Sequence, residues 1–366
     1  MALRQVPQVQ VSTQAPVITG QAPAAPGFAG FRCEISGDRI APQDCLACAQ
    51  NGAPGCPMTP ALVERIVAGI RPIHFSQGYA DAAGAQFGIS VTEVISCPRR
   101  FRLVRDYPYY ERPTSLAAAH RGSARHSDLA LYTGPGLKEL RISWKFTYTP
   151  ALRGYTHPNG SKIPVVLTGQ PDLLELRGGG WFITDYKDTE NPPRITYTYT
   201  CHVHPDQVVG RPYRRGRGPF TCPICGDLPR SQVDEYIIPP TARTGHAMQI
   251  HLLALLIGKN TAFLAEQYNT EWKRNHWQTP QAGPDTPVSG GEIAYLGHLR
   301  CSVTPDPAAA LALLKRRLAA LLSPDLPPIL YDKDEIWECG YCPVRDTCEQ
   351  LQGGPVEQDQ FGDNEG

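Results

Sequence analysis

Apolar and polar positions alternate most sharply in residues 168–189, TGQPDLLELRGGGWFITDYKDT. Two short runs rich in Leu, Ile, Phe and Trp are separated by Arg177 and three glycines. Glycine accepts the positive φ of a tight reversal, so the segment predicts a β-hairpin. A strand turns successive side chains to opposite faces. Asp185 and Lys187 therefore share a face of the second strand, Tyr186 points away and presents its backbone carbonyl, and Asp172 on the first strand adds a second carboxylate.

Elsewhere the pattern predicts an amphipathic helix over 60–70 and a short helix ending at Cys97 that Ser90 or Thr92 caps. Arg99, Arg100, Arg102 and Arg105 follow at once. A further helix over 115–132 stacks Gly122 and His126 on one side, with His120 as a second histidine on it. Residues 139–149 alternate as a strand, and 242–259 form the most apolar helix. Residues 279–291 read as a loop, 292–304 as one strand and 306–322 as an Ala/Leu-rich helix. The fold class that follows is α/β, a mixed central β-sheet flanked by helices. Residues 1–28, rich in Gln, Pro and Ala, read as a disordered arm, and 353–366 as an acidic disordered tail.

Two carboxylates and a carbonyl are hard oxygen ligands suited to Mg²⁺ or Mn²⁺. The twelve cysteines point to thiolate–metal chemistry, since nothing marks the chain for export. Cys222-Pro-Ile-Cys225-Gly is a zinc-knuckle turn, and Cys201 with His204 repeats its spacing, His202 being the alternative ligand. A zinc ribbon inserted over 194–235 is expected. Arg211, Arg214, Arg215 and Arg217 in its loop suit phosphate contacts that position a strand without reading its sequence. Cys33, Cys45, Cys48 and Cys56 form a candidate zinc knuckle in residues 29–60, and Cys301 reads as core. Cys339, Cys342 and Cys348, spaced C-x2-C-x5-C, need one more thiolate. Cys97 is the only cysteine outside the other groups, and a Cys₄ zinc site is one outcome.

The order Pro171-Asp172, then Asp185-Tyr186-Lys187, resembles the PD-(D/E)XK nuclease superfamily. Its RecB-like branch also carries a Gly-x-x-x-His helix before the hairpin, matched by Gly122 and His126, and a Gln-x-x-x-Tyr helix after it, matched by Gln249 but not by Leu253. Iron–sulfur members of the Cas-four and AddB type place one Cys before these motifs and C-x2-C-x5-C after them. The resemblance implies a restriction-endonuclease-like core over 61–352, with a metal held by His126, Asp172, Asp185 and the Tyr186 carbonyl. It further implies that Lys187 activates water, that Gln249 orients Lys187 or touches DNA, and that Cys97, Cys339, Cys342 and Cys348 hold a [4Fe–4S] cluster. The implied function is a deoxyribonuclease acting on single-stranded DNA or ends in repair, recombination or CRISPR adaptation. Any helicase is a separate partner, since no P-loop is present. A non-catalytic zinc and iron–sulfur DNA-binding scaffold is the alternative.

Charge changes this little: 35 basic and 35 acidic residues balance, so a basic surface must be local. No apolar run approaches the roughly 18 residues of a membrane span, and a cytoplasmic location without a membrane partner is the expectation.

Overall fold

The computed structural model describes residues 27–70, 80–149, 162–189, 192–194, 196–210, 219–323, 326–327, 339 and 342–352. Strand β1 (Gly27–Arg32) returns through β2 (Arg39–Ile40) into helices α1 (Pro42–Gln50) and α2 (Pro60–Gly69). Next come β3 (Phe87–Ser90), α3 (Val91–Ile95), α4 (Pro98–Asp106), β4 (Pro108–Glu111) and α5 (Pro113–Leu129). They lead to β5 (Leu137–Lys138), β6 (Ile142–Tyr148), β7 (Ile163–Gly169), β8 (Leu173–Arg177) and β9 (Gly180–Lys187). An insertion carries β10 (Thr196–Cys201), β11 (Val208–Gly210), β12 (Phe220–Cys222), β13 (Gly226–Leu228) and β14 (Val233–Ile238). The chain closes with α6 (Thr244–Gly258), α7 (Thr261–Asn275), β15 (Val288–Tyr295), β16 (Leu299–Val303), α8 (Pro307–Leu321) and α9 (Arg345–Gln352).

The architecture is mixed α/β, with its central strands in two sheets instead of one. A five-stranded sheet has the order β16-β15-β9-β8-β5, and a three-stranded sheet the order β3-β7-β6. Within the first, β15 and β9 run parallel while β8 and β9 form the antiparallel hairpin. Gly178 and Gly179 both take positive φ, 58° and 80°, as a two-residue hairpin turn requires. The sheets part between β7 and β8, at Gly169, Gln170, Pro171 and Asp172. Pro171 has no N–H to continue the ladder, so the chain turns there and leaves Asp172 at the corner.

Helix α6 packs on β15, β9, β7 and β6 and joins both sheets over one core. From Leu252 it is apolar all round because it is buried all round: every residue from Leu252 to Ile257 is buried. The fit is close. A Cβ on Gly169 would stand 2.6 Å from Leu256 Cδ1, and one on Gly291 2.6 Å from Ile250 Cγ2. Trp181, Ile183, Leu174 and Ile293 complete this core, and Cys301 lies buried within it.

Several expectations need correction. Residues 292–304 are two strands, because Gly297 at φ 75° reverses the chain between β15 and β16. Helix α7 occupies residues that had no assignment. Gly27 and Phe28 belong to β1, which pairs in parallel with β4, and not to the expected arm. Phe31, Val63, Ile66 and Ala117 share a cluster that ties α1 and α2 to α5. Cys97 is not the end of α3 but the N-cap of α4, with Pro98 at its first position. Helix α3 itself is closed by a capping box between Ser90 and Glu93. Most of the proposed arm, the tail after 352, and Arg211, Arg214, Arg215 and Arg217 lie outside the described residues. Among the described residues no single helix is long and apolar enough to cross a membrane.

Candidate functional site

Asp172 stands at the corner between the two sheets and Asp185 toward the end of β9, and side chains from α5 and α6 converge on them. His126, in the last turn of α5, donates from Nδ1 to Asp172 Oδ1 at 3.0 Å. The Tyr186 N–H donates to Asp172 Oδ2 at 2.6 Å. Tyr186 thus meets Asp172 through its amide N–H. Asp185 is 1% exposed. It accepts from Gln249 Nε2 at 2.8 Å, and the Lys187 ammonium lies 2.5 Å from its Oδ2. Lys187 thus meets Asp185 Oδ2 as a buried ion pair, and its charge opposes the rise that burial imposes on the carboxyl. Gln249 therefore fixes Asp185, and not Lys187 as the resemblance implied.

The sequence reading missed Glu139. It sits before β6 with φ at 50°, and its N–H donates to the Asp172 carbonyl at 3.2 Å. Its carboxylate is held by Gln170, which accepts from Arg141 at 2.6 Å. One ligand atom each from His126, Glu139 and Asp172 lies within 4.8 Å of the others, a set able to hold a metal ion. Asp185 falls outside that set, its carboxylate being engaged by Lys187 and Gln249. Only the polar character of Glu139, ahead of an alternating strand, could have hinted at it. His120, on the same helix as His126, is not part of the set.

Electrostatics sharpen the site. Burial pushes Asp185 up to about 6 against the pull of Lys187, and the nearby Asp172 charge adds to the rise. The hydrogen bond to Asp172 raises His126, and burial raises Glu139. A cation displaces these protons, so Mn²⁺ affinity is expected to climb as pH rises through about 6, measured by titration calorimetry at pH 5.5 and 7.5. Without a cation the folding balance runs the other way. Asp185 is raised above its ordinary 3.8, so its protonated form favours the folded state at low pH and that advantage disappears as pH rises through about 6. His126, raised above 6.5, contributes stability below 6.5 that is lost as pH passes its folded value. Thermal midpoints without Mg²⁺ or Mn²⁺ should fall across this window.

A second site lies in the insertion. Cys201 at the end of β10, His204 in the turn after it, Cys222 at the end of β12 and Cys225 before β13 gather ligand atoms within 4.8 Å of one another. His204 Nδ1 is 3.1 Å from Cys225 Sγ and 3.7 Å from Cys201 Sγ. Although burial acts to raise it, Cys222 is lowered to about 7 by the N–H groups of Cys225 and Ile224 at its sulfur, which favours the ligating thiolate. Three thiols and an imidazole suit zinc. His202 is exposed and turned to Asp234 at 3.2 Å, so His204 is the histidine of this group.

The other cysteines are arranged differently. Cys33 lies in the turn after β1, Cys45 and Cys48 on α1, and Cys56 ahead of α2. Burial and the neighbouring Cys56, Cys48 and Cys33 thiols raise Cys45 to about 11. These four thiols act on one another, but they are not among the sets of described residues whose ligand atoms all lie within 4.8 Å of one another. Cys342 and Cys348 pack with Val344 against Leu103, Val104 and Tyr109. Burial raises Cys342 to about 11, and Cys97 and Cys339 add to it. The segment around α9 thus returns to the start of α4, and Arg99 Nη1 approaches Cys348 Sγ at 3.8 Å.

No protein-family model and no curated protein matches the chain. Among solved structures it is similar to the one described as the crystal structure of SSO0001, at 14% identity and a TM-score of 0.36, covering 79% of this chain and 92% of that one.

Proposed function

We propose that the chain is a metal-dependent phosphodiester hydrolase acting on DNA, with a PD-(D/E)XK core of the RecB-like type. The observation that carries this reading is the meeting of two groups at the sheet corner: His126, Glu139 and Asp172 as ligands, and beside them Asp185 with Lys187. The imidazole–carboxylate donor set of His126, Glu139 and Asp172 fits Mg²⁺ or Mn²⁺. Such an ion would supply Lewis acidity and a bound water of lowered pKa.

The chain's own groups do the rest. His126, Glu139 and Asp172 would fix the position of the cation, with Asp185 beside them. Gln249 holds Asp185 in its rotamer from α6. Lys187 carries a positive charge beside the carboxylates, where it orients an attacking water by hydrogen bonding and balances charge that develops on the phosphate. Cys97, Cys339, Cys342 and Cys348 are assigned to a [4Fe–4S] clasp that ties the start of α4 to the segment around α9, a structural role because hydrolysis transfers no electron. Single-stranded DNA or DNA ends are the proposed substrates, with a helicase or the proteins of repair or CRISPR adaptation as partners. Leu253, buried in the core, favours a scaffold without catalysis only by standing where the resemblance calls for Tyr.

The test is incubation of anaerobically purified protein with end-labelled single-stranded DNA and Mn²⁺. Cleavage that stops on chelation is expected. Tight binding with intact DNA would return the scaffold reading.

A further inference from the structure

Helix α6 brings a second polar side chain to the corner, one turn before Gln249. His246 lies three residues ahead of Gln249, so both leave the same side of the helix. Its Nδ1 is 3.0 Å from the hydroxyl of Tyr295. Tyr295 is 2% exposed and is the register partner of Lys187 across the parallel β9 and β15 pair. The same hydroxyl accepts the Arg243 N–H at 3.1 Å.

These contacts fix the tautomer. A buried tyrosine proton needs an acceptor, and the Arg243 amide, a donor, cannot serve. The proton therefore goes to His246 Nδ1, which must be the bare nitrogen, and Nε2 carries the ring proton. Among the described residues Nε2 makes no hydrogen bond. Burial, then the charges of Lys187 and Arg243, lower His246 to about 4, so the ring stays neutral at physiological pH. Lys187 and Arg243 are the charges that act on His246, and Lys187 is itself paired with Asp185.

We propose that His246 is a substrate-contact residue: a neutral Nε2–H donor, locked by Tyr295, that binds a phosphate oxygen of the DNA beside Lys187. This rests on the hydrolase reading of the corner. Tyr295 acts through His246 and is a positioning residue.

The test uses the full chain with a labelled oligonucleotide and Mn²⁺, comparing wild type, His246→Ala, His246→Gln, His246→Asn and Tyr295→Phe. His246→Ala should lose about tenfold to a hundredfold in kcat/KM, the scale of one hydrogen bond to a charged group. His246→Gln, whose amide reaches the Nε2 position, should recover most of it. His246→Asn keeps an acceptor for Tyr295 but not the reach, and should remain impaired. Nitrogen-15 spectra of labelled histidine should show His246 as the Nε2–H tautomer in wild type and a mixture in Tyr295→Phe. If wild type cuts and His246→Ala cuts with an unchanged kcat/KM, or if the ring is the Nδ1–H tautomer, the assignment is wrong. If wild type does not cut, the hydrolase reading fails, and unchanged oligonucleotide affinity in His246→Ala would then remove the phosphate contact as well.

Discussion

Cys222→Ser, or wild type stripped by a strong chelator, should lose one zinc and the fold of the insertion from β10 to β14 together. The physical reason is size. The insertion holds a small cluster, Tyr199, Cys201, Val209, Phe220, Cys222 and Val233, and two of those six belong to the candidate metal set. Its sheets are short, with β11, β12 and β13 at three residues each. Strands that short with so little apolar burial do not hold together unaided. Structural zinc supplies about 10–16 kcal/mol of apparent binding energy in small modules, which here would be folding energy. His204→Ala should behave like Cys222→Ser, whereas His202→Ala should keep its zinc, because His202 faces Asp234 outside the cluster. Zinc content by atomic emission and protease susceptibility within residues 196–238 check both. A protein that keeps an ordered insertion after losing zinc would mean that packing alone supports it.

Lys187→Ala should lower the cleavage rate by about 10²–10³ while oligonucleotide binding changes little. That is the scale of removing one preorganised group that stabilises developing charge, roughly 2.7–4 kcal/mol. Lys187 also has a second, separable effect. Its charge opposes the rise that burial imposes on Asp185. Without it the carboxyl should hold its proton to higher pH, and the acid limb of the Mn²⁺-dependent rate should move upward. Lys187→Arg keeps a charge and should restore the pH profile more fully than the rate, because a planar guanidinium cannot occupy the ammonium position. A merely structural lysine would leave the pH profile in place.

What could be read in advance followed the range of the interactions. The hairpin, the shared face of Asp185 and Lys187, the turn at Gly178 and Gly179, and the Cys222 to Cys225 knuckle are local and follow from spacing. His126 also reached Asp172, although 46 residues separate them. Glu139 was hidden because its place depends on the backbone pairing with Asp172 and on Gln170, neither of which has a periodic trace. Tyr295 and His246 were hidden for the same reason, since a strand residue and a helix residue meet only after β15 has joined β9. The split of the central sheet turned on Pro171, a signal present in the sequence and read there only as part of a motif. Helix α7 was legible in principle, because Leu264, Ala265, Tyr268 and Trp272 recur at helical spacing. One strand was expected over 292–304 because Gly297 was not read as a turn. The four N-terminal cysteines show the limit of spacing as a guide, since they are not among the sets of described residues whose ligand atoms all lie within 4.8 Å of one another, even though their thiols act on one another.

The hydrolase reading rests most directly on Asp185, a buried carboxylate paired with Lys187 and held by Gln249 at the sheet corner. The decisive comparison is wild type against Asp185→Ala in one Mn²⁺-dependent assay on end-labelled single-stranded DNA, with binding followed by anisotropy in the same samples. Wild type should cut, and Asp185→Ala should bind the DNA with similar affinity and leave it whole. Equal cutting by both proteins would show that the phosphodiester chemistry lies elsewhere or comes from a contaminant, and the sheet corner would lose its assignment.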